Sequence, residues 1–69
     1  MKLEIIWELE ELLEQKTLEK AQLEIDISDS VKYFNSDSII ELKRDLLRMC
    51  VEKIEELTMM IEWINNVSD

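Results

Sequence analysis

Not one glycine or proline interrupts the 69 residues. No other feature constrains the fold as much. Turns that need a positive φ, helix kinks and phosphate-cradling loops are all built with these two residues. What remains is rich in Glu, Leu, Lys, Ile and Met, which lose little on entering a helix. A single cluster of turn-forming character occurs, Asn35, Ser36, Asp37 and Ser38, and it divides the chain almost in half. Asn35 is the best residue there for a left-handed conformation. Ser38 and Glu41 have the spacing of an N-cap and its capping-box partner. The expectation is an all-α antiparallel hairpin, coiled-coil-like, forming one domain over residues 1–69. Helix 1 is expected at about 3–33, the turn at about 34–37 and helix 2 at about 38–67. The segment Ile25, Asp26, Ile27, Ser28, Asp29, Ser30 alternates like a strand and is poor in helix formers, so helix 1 is expected to fray or end near Ser28.

Apolar spacing then sets the packing. In helix 1 the main stripe is Ile5, Ile6, Leu9, Leu12, Leu13, Leu23, Ile27, Val31 and Phe34. Lys16 and Lys20 interrupt it, with stems long enough to cover apolar surface while the ammonium groups stay at the edge. A smaller patch holds Leu18, Ala21 and Ile25, with Leu3 and Trp7. Helix 2 has two rows. One comprises Ile39, Leu42, Leu46, Cys50, Leu57, Met60, Ile64 and Val67; the other, at steps of seven, is Ile40, Leu47, Ile54 and Ile61. A helix with one neighbour needs one row. The first row is expected to meet helix 1, and the second to bind a partner or a further copy. Chains of this size rarely bury enough core unaided, and disulfides and metals are not available. The isolated chain is therefore expected to be a homo-oligomer.

Composition narrows the chemistry. There are 17 acidic and 8 basic residues, a net charge of −9, which disfavours nucleic-acid binding. No histidine is present, so histidine bases and histidine metal ligands are excluded. The carboxylate pairs Glu4/Glu8, Glu10/Glu14, Glu11/Glu14 and Glu52/Glu56 lie off the apolar stripes and read as solvated charge. Pairs such as Glu41 with Arg44 and Arg48 with Glu52 read the same way. Cys50, the one cysteine, sits in an apolar row and reads as a small core residue. No catalytic, cofactor-binding or metal-binding residue is expected, and no enzyme activity. No 18-residue apolar run exists to span a membrane, and the start Met1, Lys2, Leu3, Glu4 is unlike a secretory signal. A cytoplasmic location is expected.

The tryptophans carry more information. If the hairpin folds about residue 35, Trp7 faces Ile64 and lies next to Trp63, both at the open end. Residues 3–15 and 54–69 contain nine acids and no base, whereas 16–53 contain eight acids and seven bases. The open end is thus acidic and aromatic. Trp and Met favour interface cores, so Trp7, Met59 and Trp63 join Ile40, Leu47, Ile54 and Ile61 as expected partner-binding residues.

Leu9-Glu10-Glu11-Leu12-Leu13, Gln22-Leu23-Glu24 and Ile54-Glu55 followed by Ile61-Glu62-Trp63-Ile64 resemble, in patterning and length, the YscE-like co-chaperones of bacterial type III secretion systems. The turn here lacks a glycine, and tryptophan stands where a smaller aromatic residue is expected. The resemblance implies a bacterial cytoplasmic chaperone involved in virulence-associated protein transport. It would pair with a tetratricopeptide-like chaperone and help hold a needle subunit soluble before export. A second resemblance is to the short helical-hairpin phosphatases of sporulating bacteria, whose signature is Ser-Gln-Glu-Leu-Asp. Lys43-Arg44-Asp45-Leu46-Leu47 keeps one acid and one leucine of it and lacks the final aspartate. The remaining alternative is a self-associating helical-bundle regulator of phage, plasmid or antitoxin type.

Overall fold

The computed structural model describes residues 2–34 and 37–67. Helix α1 runs Lys2–Asp29 and passes directly into a π-helical segment, Ser30–Phe34; helix α2 runs Asp37–Asn66. The two lie side by side as an antiparallel hairpin with extents of 53 × 14 × 11 Å. Four hydrogen bonds across the hairpin, at three heights, set the register. Lys2 donates to the Asn65 and Val67 carbonyls at the open end, at 3.4 and 2.8 Å. The Cys50 thiol lies 3.1 Å from the Lys16 carbonyl at mid-length. Lys43 donates to the Ser30 hydroxyl at 2.8 Å near the turn. The expected turn residues Asn35 and Ser36 lie outside the described residues.

The seam follows a strict rhythm. On α1 it is Ile6, Leu9, Leu13, Lys16, Lys20, Leu23 and Ile27, ending at Ser30; on α2 it is Ile40, Lys43, Leu47, Cys50, Ile54, Leu57, Ile61 and Ile64. All of these are buried or half-buried. Their spacing alternates three and four, the 3.5-residue period that keeps one stripe of each helix facing the other. Lys16 and Lys20 are half-buried within it, their stems filling seam positions as expected.

One local expectation is met and two are corrected. The α-helix ends at Asp29, beside the expected end near Ser28, and helical winding continues in the π-segment with Leu23 and Ile27 held in the seam. The π-helical segment begins at Ser30, after Asp26, Ser28 and Asp29, residue types that favour caps and turns over helix interiors. Ser38 is not the N-cap, since α2 begins at Asp37 and Ser38 is inside its first turn. Arg48 pairs with Asp45 at 3.6 Å and not with Glu52.

Ser30 is the most buried polar residue, 2% exposed, and its hydroxyl takes the Lys43 ammonium. Ser30→Ala leaves that ammonium to find water at the seam edge. The expected loss is about 1 kcal/mol, read as a lower urea midpoint with an unchanged slope.

The interior is thin. Buried apolar side chains are Ile6, Ile40, Cys50 and Leu57. The radius of gyration is 15.8 Å, against about 11 Å for a compact chain of this length. The accessible surface is 5635 Å², whereas a compact monomer of 8.3 kDa would expose about 4,600 Å².

Candidate interaction surface

The structure splits the first expected row of α2: Cys50, Leu57 and Ile64 meet α1 as expected, whereas Ile39, Leu42, Leu46, Met60 and Val67 are exposed, and the second row, expected to bind a partner, is drawn into the seam. Ile40 is buried, and Leu47, Ile54 and Ile61 are half-buried, all in the seam against α1. The flank that α1 leaves uncovered runs Ile39, Leu42, Leu46, Met49, Lys53, Glu56, Met60, Trp63 and Val67, each residue one position before a seam rhythm step, and every member is exposed. Met49 is 60% exposed and Trp63 71%. The physical reason lies at the centre of the row. Lys53 and Glu56 occupy successive positions there and bond each other at 3.1 Å. A two-helix seam would have to strip both of water, which is costly. The seam row admits one charged residue, Lys43, and Ser30 provides its partner.

On α1 the position before each seam residue faces the same side of the hairpin. Exposed Ile5 and Leu12, with Glu8 between them, lie on it at the open end, while Glu19, Gln22, Asp26 and Asp29 make the turn half acidic. Between the helices on this side lies an open groove of about 490 Å³. Leu23, Leu46, Met49 and Cys50 line it together with Lys16, Glu19, Gln22, Asp26 and Lys53. Lys16 and Glu19 pair across one helical turn at 3.1 Å.

Trp7, Met59 and Trp63 are all exposed, at 61%, 69% and 71%. They do not form one cluster. Trp7 follows the seam residue Ile6, and Trp63 precedes the seam residue Ile64. With about 100° of turn per residue, those steps lead to opposite faces of an antiparallel pair. Trp63 therefore belongs to the α2 row. Trp7 lies on the other face with exposed Leu3, and Met59 points away from α1.

The groups capable of chemistry are dispersed. Glu4, Glu8, Glu10, Glu11, Glu14, Glu52 and Glu56 are exposed. Cys50 is buried, its thiol on a backbone carbonyl. Among the described residues there is no group of three acidic, cysteine or histidine side chains able to hold a metal ion. No helix among them is long and apolar enough to cross a membrane. No protein-family profile, curated protein or solved structure matches the chain.

Proposed function

We propose that this chain is a non-catalytic interaction protein that docks α2 against another helical protein. The observation that carries the reading is the exposed apolar row of α2, from Ile39 to Val67, on a hairpin whose seam is already filled by a different row. Large contiguous apolar patches are uncommon on monomers and mark contact surfaces. Met and Trp add to this, because flexible and aromatic side chains concentrate at interface cores.

In its finer form the reading is a cytoplasmic co-chaperone of bacterial type III secretion. There the row would meet a tetratricopeptide-like chaperone, whose stacked helices offer grooves for an amphipathic helix. The pair would keep a needle subunit unassembled. The acidic hairpin and its length support this form. Expression from the native operon followed by co-purification tests it. A tetratricopeptide-like chaperone should elute with wild type and be lost with Met49→Asp. Recovery of that chaperone equally with Met49→Asp rules out the row as the contact, and an operon encoding neither chaperone nor needle subunit rules out the secretion form.

A further inference from the structure

We propose that a second copy of this chain closes the exposed row of α2, with the two α2 helices antiparallel and Lys53 of each copy facing Glu56 of the other. This rests on the reading of the row as an interaction surface and names its occupant when no other partner is present. The centre of the row is its only charged part. A two-fold axis through that centre sets Met49 against Met60, Leu46 against Trp63 and Leu42 against Val67 of the other copy, each pairing occurring twice. Every one of these apolar positions meets an apolar one, and each charge meets its opposite. A parallel two-fold arrangement instead sets Lys53 against Lys53 and Glu56 against Glu56, so charge selects the antiparallel one.

Area supports the same occupant. The surface exceeds that of a compact monomer of this mass by about 1,000 Å². A standard interface removes about 800 Å² from each partner. The excess of this elongated hairpin is therefore enough for one further copy. The α1 side of the face cannot share equally in the contact. The same axis brings Glu19 to the height of Leu12 and Asp26 to the height of Ile5 of the other copy, acid against apolar, which places α2 at the centre of the dimer.

The test uses sedimentation of the full chain at micromolar concentration. Wild type should sediment as a dimer. Lys53→Glu alone and Glu56→Lys alone should each raise the dissociation constant about tenfold or more, since like charges then face each other twice. An equimolar mixture of the two variants should return close to the wild-type constant. In that mixed dimer the interchain pairs are opposite in sign again, while the bond between residues 53 and 56 within each chain remains broken. The mixture thus separates interchain pairing from helix stability. A monomeric wild type, or a mixture that associates no more tightly than either variant alone, overturns the proposal. A monomeric wild type that still captures the tetratricopeptide-like chaperone through Met49 overturns the homodimer alone. A monomer whose capture is insensitive to Met49→Asp overturns the interaction reading of the row as well.

Discussion

Met49→Asp is expected to weaken association through α2 by about a hundredfold, or about 2.7 kcal/mol, while the chain remains helical. The side chain is 60% exposed in the hairpin, so a carboxylate there stays hydrated in the free chain. Against an apolar partner it must be desolvated without a counter-ion, which is the costly case. Sedimentation would read the loss and circular dichroism the retained helix. Because association and folding are linked by mass action, the wild-type melting temperature should rise with protein concentration, and that of the variant should not. Ile54→Asp makes the instructive contrast. Ile54 is a seam residue, so lost binding in that variant would follow from lost packing. If Met49→Asp associates like wild type, the exposed row is not the contact surface.

Leu57→Ala is expected to be the most damaging truncation in the chain. Leu57 is 3% exposed, the most buried apolar residue of the seam. Deleting a core leucine to alanine costs about 2–5 kcal/mol, and the low end applies where a thin interior can partly collapse. At roughly 0.05–0.15 kcal/mol per residue, a chain of 69 residues has about 3–10 kcal/mol of stability in total. The variant should therefore lose most of its urea midpoint, or its cooperative transition altogether. Leu18→Ala, at an exposed position on the outer side of α1, should change stability by about 0.5 kcal/mol or less. Equal effects at the two positions would show that the seam is misassigned.

The hairpin itself was legible from two facts: no helix breaker anywhere, and one polar cluster near the middle. The seam on α1 was mostly legible too, because Ile6, Leu9, Leu13, Leu23 and Ile27 repeat at helical spacing. Ile5 and Leu12 were misread into it; they stand next to true seam residues, and apolar character alone does not separate adjacent positions. On α2 the error was larger in consequence. The row read as the core, from Ile39 to Val67, crosses between two faces: Cys50, Leu57 and Ile64 do lie in the seam, and Ile39, Leu42, Leu46, Met60 and Val67 do not. The deciding signal was charge at the middle. Lys53 and Glu56 fall in succession on the row that includes Met49 and Trp63, and a buried seam does not tolerate such a pair without compensation. Lys43, by contrast, keeps the rhythm of the Ile40 row, but its tolerance depends on Ser30 across the hairpin. No pattern local to α2 carries that information. The π-helical segment was not legible either, since its signal is only a run of Asp and Ser that also suits an ordinary helix end. The supposed pairing of Trp7 with Trp63 failed because facing height along a hairpin was taken for facing side.

Methionine oxidation tests the central claim, that the Ile39-to-Val67 flank of α2 is the contact surface, most directly. Met49, Met59 and Met60 are all exposed in the single hairpin, yet Met59 and Met60 are neighbours on different sides of α2. Peroxide converts accessible thioethers to sulfoxides, and mass spectrometry of peptides reports each site. As the chain associates at rising concentration, or takes up its partner, oxidation of Met49 and Met60 should slow together while Met59 continues to react at its free rate. Protection of Met59 in place of Met49 and Met60, or equal rates at all three in the associated state, would contradict the account.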